Sequence, residues 1–253
     1  MIKVVILGAG NVATHLFKAF YASEDVTIVQ WYNRHLKAID LHKNKIAVTD
    51  NLLELKEADV YLMAVSDDAI ESLSEQLPFS NRLVVHTSGS TSLYAIEQKH
   101  KRGVFYPLQT FSKNTEVDFS AIPICVEALK KDDLKTLKKL AKAIGSETHK
   151  VNTNQRQALH LAAVFVNNFS NQLYRIAHEL TESQGVEFNI LKPLIKETAA
   201  KIETISPYMA QTGPAKRNDK KTIKRHLKQL EKEEHKAIYT LLTESIKNTH
   251  GNK

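Results

Sequence analysis

The sequence predicts an α/β fold: a mainly parallel sheet followed by a second, all-α part. Three observations carry this. Up to about residue 150, short runs rich in Val and Ile alternate with amphipathic stretches, the rhythm of a parallel sheet with helices on both faces. After about Asn152 the strand-like runs stop, and apolar residues recur at helical spacing. No internal repeat or low-complexity linker separates the halves, so the change reads as a change of class and not a tether. The expected domains are 1–150 and 151–253.

Val4–Leu7, Val26–Trp31, Val60–Val65, Leu83–His86, Val104–Tyr106 and Ile122–Val126 read as strands, bounded by turn residues. Val12–Ala22, Leu36–Lys43, Ala69–Gln76, Ser92–His100 and Asp132–Ile144 read as helices between them. In the second half, Gln155–Gln184 places Phe165, Val166, Phe169, Leu173, Ile176 and Leu180 at helical spacing, and Gly185 supplies a stop. Further helices are expected over Asn189–Thr204, Lys221–Leu230 and Glu234–Lys247, with Asp219 able to cap the second of these.

At 253 residues, with 42% hydrophobic and 25% charged, the chain can bury a core in each half. No apolar run approaches the ~18 residues that cross a bilayer, so no membrane partner is expected. The first residues run straight into a strand and lack the features of a signal peptide, which suggests a cytoplasmic protein. Cys125 is the single cysteine, so an intrachain disulfide and a cysteine-based metal site are excluded, and no metal is expected. Nearly all of the net charge of +7 lies beyond Gly213, where eleven basic residues face five acidic ones. Such a segment could attract an anion. It also reads as a solvated helix face with salt bridges among Lys228, Glu231, Lys232 and Glu234, and this reading is preferred. The segment has few aromatic residues and no nucleic-acid motif, so no nucleic-acid partner is expected.

The first strand runs into Gly8-Ala9-Gly10-Asn11-Val12-Ala13, a G-x-G-x-x-A pattern between strand and helix. Gly8 permits a tight turn, Gly10 lets the backbone approach a pyrophosphate, and Ala13 packs the helix close to the strand. The N–H groups that open the helix, including those of Asn11 and Val12, attract the anion. This is the phosphate loop of a Rossmann-type domain. A NAD site usually carries an acid at the end of the second strand. Here the residues are Trp31-Tyr32-Asn33-Arg34, so Arg34 can meet a 2′-phosphate in fork geometry while Asn33 bonds the ribose. The expected cofactor is therefore NADP.

The later strand ends should line the path toward the nicotinamide. In Ala64-Val65-Ser66-Asp67-Asp68, Val65 and Ser66 read as cofactor contacts and Asp68 as a helix cap. In His86-Thr87-Ser88, Ser88 is a candidate for the carboxamide or a substrate oxygen. His86 is equally a functional group or a histidine bonded inside the sheet. On the long helix, 100° per residue brings His160, Asn167, Asn171 and His178 onto one polar line, with Asn168 at its flank. His160 could exchange a proton with a carbonyl, imine or alcohol, and Asn168 could orient the substrate. A network of interhelical or interface hydrogen bonds would place the same residue types there. In Gln211–Asp219, Thr212 and Arg217 could reach an anionic substrate, or the segment could be a connector.

Taken in order, G-A-G-N-V-A, A-V-S-D-D-A-I, V-V-H-T-S-G-S, F-Y-P-L-Q-T-F, H-L-A-A-V-F-V-N-N-F and T-G-P-A-K-R-N-D resemble a family of bacterial NADP oxidoreductases with a Rossmann-like domain and a C-terminal helical domain of unknown function. The resemblance spans nearly the whole chain. More distantly, the chain is similar to pyrroline-carboxylate reductases, deazaflavin-dependent NADP reductases and β-hydroxyacid dehydrogenases. This implies an NADP-type cofactor, a small-molecule substrate, an active site between the domains and a homodimer formed through the C-terminal helices. One departure matters. β-Hydroxyacid dehydrogenases carry Lys-x-x-x-Asn on the long helix, but aligning Asn168 puts Val164 at the Lys position, and aligning Asn167 puts Ala163 there. The Lys chemistry therefore does not carry over, and His160, one turn earlier, is the substitute. The expected reaction is hydride transfer between NADP(H) and a small carbonyl, imine or alcohol. The alternative is a non-catalytic NADP-binding sensor.

Overall fold

The computed structural model describes residues 1–113 and 115–250. Eight strands form one sheet in the order β3-β2-β1-β4-β5-β6-β7-β8. They are β1 (Ile2–Leu7), β2 (Val26–Tyr32), β3 (Val48–Thr49), β4 (Val60–Met63), β5 (Leu83–His86), β6 (Lys101–Pro107), β7 (Ile124–Ala128) and β8 (Thr148–Lys150). Every pair is parallel except β6 with β7. The chain winds outward from β1 to β3, then crosses back to place β4 on the other side of β1. That reversal opens a crevice beyond the carboxyl ends of β1 and β4, where open α/β sheets bind ligands.

Alternation along each strand builds two cores. Val4 and Ile6 point to one face, where Ala13, Leu16, Phe17 and Phe20 of α1 (Asn11–Tyr21) and Leu137, Leu140 and Ala141 of α3 (Lys131–Lys142) cover them. Val5 and Leu7 point to the other, against Ile70 and Leu73 of α2 (Ile70–Gln76). The four α1 residues have the i, i+3, i+4, i+7 spacing of one helix face. Burying each of the larger three, Leu16, Phe17 and Phe20, stabilises the fold by about 1.5–3 kcal/mol. In α3, Asp132 and Asp133 open the helix and Lys139 and Lys142 close it, in keeping with the helix dipole.

Two expected helices are absent. Leu36–Lys43 folds instead as two short 3₁₀ turns, Leu36–Ala38 and Asp40–His42. Of its apolar residues only Ile39 is buried and Leu41 is exposed, so no continuous apolar face is there to bury. Ser92–His100 forms one turn, Leu93–Ala95, capped by the Ser92 side chain, and then extends at Ile96. Asp68 caps no helix: α2 begins after Ala69, and the turn before it starts from Ser66. Strands β3 and β8 are too short to stand out as periodic runs.

The long helix begins at α4 (Thr153–Ala163) with a capping box, in which Asn152 and Gln155 each satisfy the other's backbone N–H at 2.9 Å. It continues through a π-helical segment, Val164–Phe169, into α5 (Ser170–Glu182). The wider π turn breaks the 3.6-residue phase, so His160 does not keep the helical line that regular spacing assigns to Asn167. Gly185, at φ +66°, follows the end of α5 as expected.

Contacts divide the chain into two compact units, Met1–Asn168 and Phe169–Lys253. The last strand ends at Lys150, where the change of class is expected, but α4 contacts the α/β unit and belongs with it. The second unit holds α5, α6 (Lys192–Thr204), α7 (Pro207–Ala210), α8 (Lys220–Gln229) and α9 (Glu233–His250). Asp219 caps α8 by accepting the Thr222 N–H at 3.0 Å. Lys232 pairs with Glu179 of α5 at 2.7 Å, and Lys236 with Glu233 at 2.7 Å. The ion pairs expected around Lys228 are therefore replaced by others. Within this unit Ala215, Ile223 and Leu230 are the buried hydrophobic residues among those described, while Ile190, Leu194, Ile202, Met209 and Leu241 are all exposed.

Candidate functional site

A cavity of about 850 Å³ lies at the carboxyl ends of the strands in the first unit. Gly8, Gly10, Asn11 and Val12 line it after β1, Asn33 and Arg34 after β2, and Val65 and Ser66 after β4. Residues from three separate parts of the sequence thus meet around one space. Thr87, after β5, lies in the same wall.

The loop after β1 is shaped for an anion. Gly8 has φ +109°, and a Cβ there would stand 2.3 Å from the Ala64 carbonyl oxygen. No other residue fits that position. A Cβ on Gly10 would meet nothing within 4 Å and would instead project into open space. Gly10 caps α1 without a side-chain hydrogen bond, and no acid occupies the first turn. The opening N–H groups and the positive end of the helix dipole are therefore available to an anion. The Trp31 indole N–H donates to the Gly8 carbonyl at 2.6 Å and fixes the turn from below.

Among the described residues, the cavity lining contains no Asp or Glu, and Arg34 and His35 stand at its β2 end. Arg34 is exposed, whereas the Asn33 amide donates to the His35 carbonyl at 2.9 Å and so helps to shape this turn. A diphosphate with an added phosphate fits such a lining by charge. The residues present fit a nicotinamide dinucleotide.

Sequence reasoning missed a strap. Gln109, Thr110 and Phe111 also line the cavity, after β6. The Asn11 side chain donates to the Phe111 carbonyl at 2.9 Å, and His15 Nε2 donates to the Ser112 carbonyl at 2.9 Å. The signal available in the sequence is F-Y-P-L-Q-T-F, an aromatic motif whose local pattern assigns it no role.

Ser88, His160 and Asn168 are not in the cavity wall. Ser88 is buried, and its hydroxyl oxygen accepts the N–H groups of Ser90 and Thr91 at 3.1 and 2.9 Å, so it organises the turn after β5. Ser90 in turn donates to Asp67. His86 is fully buried and its Nδ1 accepts the Ser88 N–H at 3.1 Å. Burial, reinforced by the Arg156 charge, lowers its pKa to about 4, so the ring is neutral and structural. His160 is half-buried; its Nδ1 lies 3.1 Å from the Tyr106 hydroxyl. Asn167 and Asn168 are exposed, and the polar line expected to be enclosed is open over most of its length.

Arg156, one turn before His160, is fully buried. Its guanidinium donates to the Ser88 and Gly89 carbonyls at 3.0 Å each and to Glu127 at 3.2 Å. It ties α4, β7 and the turn after β5 together. Nothing in the sequence marked this residue, because a lone Arg on a helix usually faces solvent. Among the described residues, no group of three or more His, Cys, Asp or Glu is arranged to hold a metal ion.

Comparison with known proteins agrees with this architecture. Residues 3–89 match the family described as NADP oxidoreductase coenzyme F420-dependent, and residues 122–246 match a domain of unknown function. A crystal structure of a candidate NADP oxidoreductase from Bacteroides fragilis shares 38% identity, covers 98% of each chain and superposes with a TM-score of 0.86. The fold is shared more widely. A reductive aminase from Aspergillus terreus, solved with NADPH and ethyl levulinate, is 12% identical over 99% of this chain and 95% of its own, with a TM-score of 0.74. A 1-pyrroline-5-carboxylate reductase from Streptococcus pyogenes is 10% identical over 99% of each chain, with a TM-score of 0.66. No curated protein matches the sequence. With a glycine turn, an uncapped helix and an arginine around one cavity, and with a close relative alike from end to end, the chain belongs to the NADP oxidoreductase family whose members join this nucleotide-binding domain to a C-terminal domain of unknown function.

Proposed function

We propose that the protein is an NADP(H)-dependent oxidoreductase acting on a small carbonyl, imine or alcohol. The observation that carries this reading is the cavity at the strand ends, lined by the open N-terminus of α1 and by Arg34, with no carboxylate in its wall. Gly8, Gly10, Asn11 and Val12 hold the pyrophosphate. Arg34, with Asn33 beside it, holds the 2′-phosphate, and Val65 and Ser66 border the path to the nicotinamide. When bound, the cofactor supplies or accepts a hydride at its nicotinamide ring. Ser88 shapes the turn that closes the nicotinamide end. His160 exchanges the proton, since it is a half-buried imidazole packed against Gly89, two residues beyond Thr87 in the cavity wall. Asn168 orients the substrate from the helix that carries His160.

His160→Ala is expected to abolish turnover, a loss of about 10²–10⁴-fold for a general acid, while NADPH still binds. Turnover is read as NADPH oxidation across a panel of keto acids, imines and aldehydes, and binding by calorimetry. Unchanged turnover would remove His160 from the mechanism. If the unaltered protein binds NADPH but oxidises it with no member of the panel, the chain is a sensor; the absence of Lys from Ala163 and Val164 favours that second reading.

The same proposal places a homodimer interface on the C-terminal helices. Leu194 and Ile202 on α6 and Leu241 on α9 are each more than half exposed, apolar side chains that a second copy could cover. Sedimentation is expected at twice the 28.6 kDa chain mass, and Leu194→Glu with Leu241→Glu is expected to yield monomer. A wild-type monomer at micromolar concentration would refute the interface. A cytoplasmic setting belongs to the same reading. Its support is a lone, buried Cys125 and the absence, among the described residues, of any helix long and apolar enough to cross a membrane.

A further inference from the structure

Tyr106 and His160 form a pair that the surrounding residues hold in place. Tyr106 is buried on β6, and its ring meets the imidazole edge-on with centroids 6.0 Å apart. The pair exists because residue 89 is glycine. A Cβ there would stand 2.5 Å from His160 Nδ1 and 2.8 Å from Tyr106 Cζ. The backbone around Gly89 is itself anchored, by Arg156 on the Ser88 and Gly89 carbonyls and by Gln157 on the Ser90 carbonyl at 2.7 Å. Both anchors come from α4, the helix that carries His160.

We infer that Tyr106 is a positioning residue whose hydroxyl occupies His160 Nδ1 and so reserves Nε2 as the nitrogen that exchanges a proton with substrate. The inference rests on the proposed role of His160. Burial above all raises the Tyr106 pKa to about 12, so the group is a phenol at neutral pH. A phenol O–H pointing at Nδ1 of a neutral imidazole requires the ring proton to sit on Nε2. When the ring is cationic, Nδ1–H donates and the phenol oxygen accepts. The contact survives both states, so the ring need not rotate during the reaction. In the reducing direction, hydride adds to the carbon of the substrate double bond and its electron pair moves to the oxygen or nitrogen. That atom takes the Nε2 proton of the cationic ring. The ring is left neutral, with its remaining proton on Nδ1 donated to the Tyr106 oxygen, until Nε2 takes up a proton from solvent and the cation is restored. At rest the cation loses its Nδ1 proton instead, so the resting neutral ring is the Nε2–H tautomer.

The test is long-range proton–nitrogen NMR on the full-length chain with ¹⁵N-labelled histidine, the His160 signals being assigned by their loss in His160→Gln. The neutral wild-type ring should carry its proton on Nε2, with Nδ1 at the shift of a hydrogen-bonded acceptor. Tyr106→Phe should move Nδ1 toward the shift of a free acceptor. It should also lower kcat by about 10–100-fold, the scale seen when a group orienting an imidazole is removed, with KM and NADPH affinity unchanged. His160 resonances that do not respond to Tyr106→Phe overturn the inference. So does a neutral wild-type ring protonated on Nδ1, a measurement that needs no variant. If Tyr106→Phe fails to fold, Gly89→Ala, which pushes the pair apart, should shift Nδ1 in the same direction. Wild-type turnover in His160→Ala would instead overturn the functional reading, an outcome distinct from a silent Tyr106→Phe spectrum.

Discussion

Arg34→Ala is expected to weaken NADPH binding by about 10- to 150-fold while changing NADH binding little. The range is the 1.5–3 kcal/mol of a hydrogen bond to a charged group, and the two cofactors differ by the 2′-phosphate alone. Arg34 stands with His35 at the β2 end of a cavity whose wall has no carboxylate to compete for it. A guanidinium meets a phosphate with two parallel N–H donors, so Arg34→Lys should recover part of the loss but not all of it. Calorimetry with both cofactors on the same preparation decides the point. Equal losses for NADPH and NADH would mean that Arg34 shapes the loop and does not read the phosphate.

Arg156→Ala is expected to cost about 3–5 kcal/mol of stability, the usual result of removing one member of a buried ion pair. The guanidinium is fully buried and meets four acceptors: the Ser88 and Gly89 carbonyls, the Glu127 carboxylate and, at 3.5 Å, the Thr153 hydroxyl. Its removal leaves a largely buried carboxylate uncompensated and two carbonyls without their donor. Glu127→Gln should cost less, because the amide oxygen can still accept from the guanidinium and from the Thr153 hydroxyl, which lies 3.0 Å from the carboxylate. Urea unfolding followed by Trp31, the single tryptophan and a buried residue of the α/β unit, reports the change. A loss below about 1 kcal/mol would place this pair among ordinary surface bridges.

The parts of the site that could be read in advance are those whose chemistry is local. A turn that needs φ > 0 and a close backbone approach leaves glycines at fixed offsets, and Gly8 and Gly10 carry that mark. A charge preference at a strand end appears as the residue type there, Arg34. The groups that could not be read are held by partners distant in sequence. Tyr106 lies 54 residues from His160, and Arg156 lies 67 residues from Gly89. No spacing rule connects such positions. The polar line of His160, Asn167, Asn171 and His178, with Asn168 at its flank, presupposes an unbroken 3.6-residue phase, which the π-helical turn at Val164–Phe169 interrupts.

Elements divide along the same line. Strands β1, β2 and β5 and helices α1 and α3 bury whole periodic faces, so pattern alone locates them. Leu36–Lys43 and Ser92–His100 have helical composition, yet each offers too few buried apolar residues to sustain more than a turn. Short-range chemistry was therefore enough to establish an α/β nucleotide-binding half, a glycine phosphate turn and an all-helical second half, because periodicity, turn preference and charge act between neighbours. Only the folded chain could decide that an exposed-looking arginine is a buried clamp, that a tyrosine on β6 is the partner of His160, and that the F-Y-P-L-Q-T-F segment straps across α1. Those depend on which surfaces packing brings together, and burial is a property of the whole fold.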